Sequence, residues 1–65
     1  MNHFGMTERK NFCRWVRRVR ELIVEAGCYP TVEAAEAYGS DDDWRSYFYE
    51  GYTPGEALQE EFSYA

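Results

Sequence analysis

Few side chains in this 65-residue sequence could carry out covalent chemistry. His3 is the only histidine, and it lies in a segment, residues 1–6, that we expect to be a flexible tail. Cys13 could act as a nucleophile only beside a base, and no histidine follows it in the chain. Because nucleophilic catalysis needs such a pair within hydrogen-bond reach, the sequence predicts no catalytic residues and no enzyme.

The sequence also has no recognisable pattern for a metal or a phosphate group. Asp41-Asp42-Asp43 is its densest acidic run, but a calcium loop needs spaced ligands, a central glycine and a glutamate at its end. Two cysteines and one histidine make a poor zinc set, and no glycine-rich phosphate loop occurs. We therefore expect no metal site and no cofactor.

The charged residues are divided unevenly along the chain, whose net charge is −5. Residues 1–27 contain six basic and three acidic residues, for a net charge of +3. Residues 28–65 contain one basic residue, Arg45, and nine acidic ones, for a net charge of −8. This asymmetry points to an interaction surface rather than to a requirement of the fold.

The acidic residues of the second half outnumber what helix capping needs. Acids at a helix start accept hydrogen bonds from free N–H groups and suit the helix dipole, but one or two per helix suffice. Carboxylates on a rigid helical surface can imitate duplex DNA, which carries one charge per about 1.7 Å of axis, and tyrosine adds rigid contact area with a polar tip. Alternatively, the acids only keep an aromatic-rich protein soluble. The predicted partner-binding residues are Glu33, Glu36, Asp41, Asp42, Asp43, Glu50, Glu56, Glu60, Glu61, Tyr47, Tyr49 and Tyr52.

The basic residues of the first half favour a different role. Arg14, Arg17 and Arg18 share a helix face and could contact phosphates, but the acidic chain as a whole would be repelled by nucleic acid. We expect these arginines to pair with the acidic helices, or with Glu21 and Glu25, and we expect no direct nucleic-acid binding.

Helical periodicity and capping signals define the elements that position these side chains. A long helix is predicted over residues 8–26, with Thr7 as its N-cap and Gly27 after its end. Three short helices follow: residues 32–38 after Thr31, about 42–50 after Ser40 or Asp41 and before Gly51, and 54 to about 62, opened by the capping box Thr53-Pro54-Gly55-Glu56. No segment has the alternation of a strand. The fold class is therefore all-α, with one long N-terminal helix packed by about three short C-terminal helices in a single domain, residues 1–65.

The predicted core is the apolar stripe of the first helix, about 120° wide at about 100° per residue, covered by apolar residues of the short helices. The stripe contains Phe12, Trp15, Val16, Val19, Leu22, Ile23 and Ala26. The covering residues are Val32, Ala35, Tyr38, Trp44, Phe48, Ala57, Leu58 and Phe62.

The cysteines and the hydropathy pattern indicate a cytosolic protein. Cys13 and Cys28 lie near opposite ends of the first helix, about 22 Å apart, and a disulfide needs Cα atoms within about 7 Å. Both are therefore expected to be reduced. No run of about 18 apolar residues and no signal-peptide pattern occurs, so we expect no membrane association.

The acidic, tyrosine-rich part from Glu33 to Tyr64, with its Asp41-Asp42-Asp43 run, resembles in size, charge and composition the small acidic proteins with which phages block host defence. Among these it is similar to anti-CRISPR proteins that act on type I surveillance complexes, type I-C included. The resemblance covers about half the chain, and the basic first helix departs from a uniformly acidic DNA mimic. It implies a monomeric inhibitor in the cytoplasm of a bacterial host, whose acidic face occupies the basic channel of the complex and blocks target DNA.

Two other classes of binding protein fit the sequence. One is a protein–protein adaptor or regulator of a mobile element that uses the aromatic C-terminal surface of Tyr47, Tyr49 and Tyr52, with little dependence on salt. The other is a small nucleic-acid-binding regulator that uses Arg14 and its neighbours and would shift random duplex DNA at low salt.

Overall fold

The protein is described by a computed structural model over residues 4–63, so that His3, Tyr64 and the other residues of 1–3 and 64–65 lie outside the description. No strand occurs within residues 4–63. The all-α prediction, with a long N-terminal helix packed by shorter ones, is confirmed. The helices are α1 (Phe4–Glu25), α2 (Val32–Ala35), α3 (Asp41–Tyr49) and α4 (Pro54–Ser63).

The start of α1 differs from the prediction. The helix begins at Phe4, so Thr7 lies within it rather than at its N-cap. No proline interrupts residues 4–7, and the main-chain hydrogen bonds can therefore continue past Thr7 toward the N-terminus. Residues 4–6 of the predicted tail are helical, whereas residues 1–3 of that tail lie outside the described residues.

The core lies along one side of α1, which packs against α2, α3 and α4. Its buried apolar residues are Phe12, Val16, Val19, Ile23, Ala35, Trp44, Ala57 and Leu58. Two residues of the predicted core are exposed: Ala26 follows the end of α1, and Phe62, at the end of α4, keeps 43% of its surface in solvent. Both lie where a helix ends and no neighbouring helix continues alongside.

The predicted helix starts and stops rest on local hydrogen bonds. The Thr31 hydroxyl accepts a hydrogen bond from the Ala34 N–H at 3.1 Å and caps α2. At α4, the Glu56 N–H donates to the Thr53 hydroxyl at 3.2 Å, and the Thr53 N–H donates to the Glu56 carboxylate at 3.0 Å. This reciprocal pair is the predicted capping box.

Glycines end two of the helices as predicted. Gly27 follows α1 with a φ of 85°, and Gly51 follows α3 with a φ of 88°. This left-handed backbone strains residues that carry a Cβ and suits the position after a helix C-terminus.

The second helix is shorter than predicted, ending at Ala35 rather than at Tyr38. The N–H groups of Glu36, Ala37 and Tyr38 donate to carbonyls three residues earlier, at 3.0–3.2 Å. Such bonds tighten the chain into turns and do not extend the α-helix. The turns bring the chain to Gly39 and to the start of α3.

Candidate functional site

The three aspartates of the acidic run each have a structural partner. The Asp43 carboxylate accepts hydrogen bonds from the Ser40 N–H at 2.8 Å and from the Ser40 hydroxyl at 3.1 Å. Asp42 lies 3.4 Å from the Arg45 guanidinium, and Asp41 lies 3.0 Å from that of Arg20. The run therefore fixes the start of α3, as well as contributing negative charge.

Arg20 is a buried basic residue that the sequence analysis did not single out. Only 7% of its surface is exposed, and its Nη2 donates to the Gly39 carbonyl at 3.1 Å and pairs with Asp41. Arg20 follows Val16 by one helical turn, so its position beside the apolar stripe was the signal available in the sequence. The expected pairing of an α1 arginine with an acidic helix occurs here, between α1 and α3.

The other arginine pairs lie on the exposed side of α1. Arg17 contacts Glu21 at 3.4 Å, while Arg18 contacts Glu21 at 3.1 Å and Glu25 at 3.3 Å. These are the partners predicted for them. Hydrogen bonds to Glu21 and then Glu25 raise the pKa of Arg18 above its usual value. Because the pairs are exposed, each contributes little to stability.

Three of the predicted acidic residues meet at one open depression of about 520 Å³. Glu50 follows the end of α3, while Glu56 and Glu60 lie one turn apart on α4. Side chains four residues apart on a helix are neighbours, and two like charges at that spacing repel. Tyr52, Gly51, Gln59 and Ser63 complete the lining. We call this surface the acidic depression.

The remaining predicted acids lie apart from the acidic depression. Glu33 and Glu36 are exposed on α2 and just after it. Glu61 is half-buried and accepts a hydrogen bond from the Tyr47 hydroxyl at 2.9 Å. The nine predicted acids are therefore divided among helix caps, internal pairs and separate surfaces.

The three predicted tyrosines do not form one aromatic surface. Tyr49 is 57% exposed, and its hydroxyl lies 3.5 Å from the Glu8 carboxylate. Tyr47 and Tyr52 are half-buried and pack edge to face, with ring centroids 5.2 Å apart. The carbonyl of Tyr52 also accepts a hydrogen bond from the indole of Trp15 at 2.8 Å. Tyr52 is the member of this set that lines the acidic depression.

A smaller notch of about 160 Å³ lies between α3, α4 and the turn that precedes α3. Its lining residues are Tyr38, Gly39, Asp43, Trp44 and Glu61. Burial of the ring raises the pKa of Tyr38 above 10.0, and the negative charge of Glu61 raises it further. We call this feature the aromatic–acidic notch.

The cysteines are both free and exposed, as predicted. Within residues 4–63, no three histidine, cysteine or acidic side chains come together as a metal-binding group. None of the helices in the same range combines the length and the apolar character needed to cross a bilayer.

Comparisons of the chain with protein families, curated proteins and solved structures find no match.

Proposed function

We propose that this chain is a non-enzymatic inhibitor that binds the basic nucleic-acid channel of a host protein complex. The observation that carries the proposal is the convergence of Glu50, Glu56 and Glu60 on the acidic depression, beside Tyr52. Three carboxylates on one concave surface present the charge that a basic channel is built to receive from nucleic-acid phosphates.

The charges of the acidic depression are not the ones that the fold neutralises internally. The ion pairs found within residues 4–63 bind Asp41, Asp42, Glu21 and Glu25, and none of these residues lines the depression. Like charges held together repel, and a cationic partner relieves that repulsion on binding. Complementary charge also accelerates the encounter of the two proteins and is screened by salt.

The resemblance to small acidic anti-CRISPR proteins supplies the first partner to test. A type I surveillance complex holds target DNA in a basic channel, and the proposed inhibitor would occupy that channel in place of the DNA. In this proposal the protein acts as a monomer in the cytoplasm of a bacterial host and needs no cofactor.

A competition experiment tests the proposal. Fluorescence anisotropy would follow the release of labelled target DNA from a purified type I complex as this protein is added. We expect displacement by the natural sequence and roughly tenfold weaker displacement by the double variant Glu50→Gln/Glu60→Gln, equivalent to about 1.4 kcal/mol. Glu56 is left unchanged because its carboxylate caps α4.

The matched control is Glu33→Gln/Glu36→Gln, which removes the same charge from the exposed surface of α2 and the turn that follows it. We expect it to displace DNA as well as the natural sequence does. If the natural protein does not displace DNA at low salt, the proposed function is wrong. If both double variants lose the same amount, net charge rather than the acidic depression governs binding.

A second candidate function rests on the two large exposed aromatic residues. Tyr49 is 57% exposed and Phe62 is 43% exposed, and exposed aromatic side chains are common anchors at protein interfaces. A protein–protein adaptor of this kind would lose its partner in Tyr49→Ala and would bind equally at low and high salt. That salt independence distinguishes it from the inhibitor.

A further inference from the structure

The aromatic–acidic notch has walls of two kinds. The rings of Tyr38 and Trp44 stack with centroids 6.0 Å apart and an interplanar angle of 15°. Asp43 and Glu61 supply carboxylates to the same notch. An aromatic surface beside carboxylates suits a cationic group, which is attracted both by the ring faces and by the negative charges.

Both carboxylates are held in place by the fold. Ser40 donates two hydrogen bonds to Oδ2 of Asp43, at 2.8 and 3.1 Å. The Tyr47 hydroxyl donates to Oε2 of Glu61 at 2.9 Å. Each of these contacts uses one carboxylate oxygen and leaves the other outside the bond. A ligand therefore meets acceptors that are already oriented, which lowers the entropy lost on binding.

The indole of Trp44 forms the closed end of the notch. Trp44 is 2% exposed, and its buried Nε1 has no hydrogen-bond partner among the described residues. A Cβ at Gly39 would lie only 3.1 Å from that nitrogen, so the glycine allows the close approach of the main chain to the ring. The indole N–H is therefore a local reporter of any group that enters the notch.

We propose that the aromatic–acidic notch receives one arginine side chain of the basic partner. The inference rests on the proposed function for the basic character of that partner, and it adds a specific anchor to the broader contact at the acidic depression. A guanidinium is planar and donates in a fixed fork that matches carboxylates, and it stacks on aromatic rings. An anion would be repelled by the carboxylates of Asp43 and Glu61.

The test is a titration of the isotopically labelled full chain with N-acetyl-L-arginine amide, followed by NMR of the indole N–H signals. We expect a saturable shift of the Trp44 signal. The Trp15 indole donates to the Tyr52 carbonyl away from the notch, so its signal serves as an internal control and should stay in place. N-acetyl-L-citrulline amide, which has a similar shape and no charge, should leave both signals unchanged.

Two matched variants separate the notch from general charge attraction. Glu61→Gln removes the charge and keeps an acceptor for Tyr47, and it should weaken arginine amide binding about tenfold. Glu60→Gln removes the same charge from the neighbouring residue, which lines the acidic depression instead, and it should leave binding unchanged. Retained amide signal dispersion shows that each variant is folded.

Three results would overturn the inference: no Trp44 shift with arginine amide, equal shifts with the citrulline compound, or equal losses in the two variants. The outcome is independent of the DNA competition experiment. A saturable Trp44 shift without DNA displacement would leave the notch standing and reject the inhibitor, and the reverse result would reject the notch alone.

Discussion

Replacing Asp41 by alanine is expected to destabilise the fold much more than the same change at Asp42. Asp41 pairs at 3.0 Å with Arg20, whose side chain is 9% exposed, whereas Asp42 pairs at 3.4 Å with Arg45, whose side chain is 44% exposed. Both changes remove a carboxylate from the first turn of α3, so both lose the same kind of interaction with the helix dipole, about 0.3–1 kcal/mol. Only Asp41→Ala leaves a buried guanidinium without its charged partner.

The size of the difference follows from the exposure of the two partners. Removing one member of a fully buried ion pair costs about 3–5 kcal/mol. Because the Asp41 side chain is 58% exposed, water already screens part of this pair, and we expect Asp41→Ala to cost about 1–2 kcal/mol more than Asp42→Ala. In a domain of this size, each kcal/mol lowers Tm by about 4–8 °C.

Urea denaturation followed by far-UV circular dichroism would measure both free energies of unfolding. A second pair of variants, made in an Arg20→Met background, completes a double-mutant cycle. In that background the two alanine changes should cost the same, because the guanidinium that distinguishes them is gone. Equal costs for Asp41→Ala and Asp42→Ala in the natural background would refute the assignment of Arg20 and Asp41 as a structural pair.

Three further predictions concern the core, the notch and the thiols. Ile23, which is fully buried, should lower the free energy of unfolding by about 0.5–1.5 kcal/mol when changed to valine, and urea titration would show no such loss if the core were loosely packed. Since burial first and Glu61 second raise the pKa of Tyr38, its contribution to stability is complete below pH 10.0 and is lost as pH rises through the folded-state pKa; urea titrations across that range should show a shallower decline in Tyr38→Phe. Ellman's reagent should modify both exposed thiols, Cys13 and Cys28, in the native protein, and protection of either until urea is added would contradict their exposure.

The ends of the short helices could be predicted because the contacts that define them are local. The capping box joins Thr53 to Glu56, only three residues away, and the spacing of a hydroxyl and a carboxylate in the sequence is enough to indicate it. Gly51 similarly marks the end of α3 by its own backbone preference. By contrast, the start of α1 was not predictable from Thr7, because a threonine that can cap a helix can also lie inside one.

The roles of the individual acids could not be predicted, because they depend on contacts between distant parts of the chain. Arg20 reaches the Gly39 carbonyl across 19 residues, and only the docking of α3 against α1 makes Asp41 its partner. The convergence of Glu50 with Glu60 likewise depends on the turn between α3 and α4. The sequence therefore indicates how many acids exceed the needs of capping, but the structure shows which ones lie together.

This division changes which variants test binding. Charge reversal across Asp41, Asp42 and Asp43 would remove the Ser40 cap and the partner of Arg20 together, so a loss of binding could reflect unfolding. Glu50 and Glu60 line the acidic depression without those contacts, and they separate binding from stability.

The most direct test of the central claim is the salt dependence of the Kd between this protein and a purified type I surveillance complex that carries no target DNA. If the acidic depression occupies the basic channel, affinity should fall steeply with salt, by roughly tenfold or more between about 50 and 200 mM. Glu50→Gln/Glu60→Gln should bind less tightly and with a shallower salt dependence than Glu33→Gln/Glu36→Gln. An affinity that is unaffected by salt, or that is the same in both double variants and the natural protein, would contradict the account.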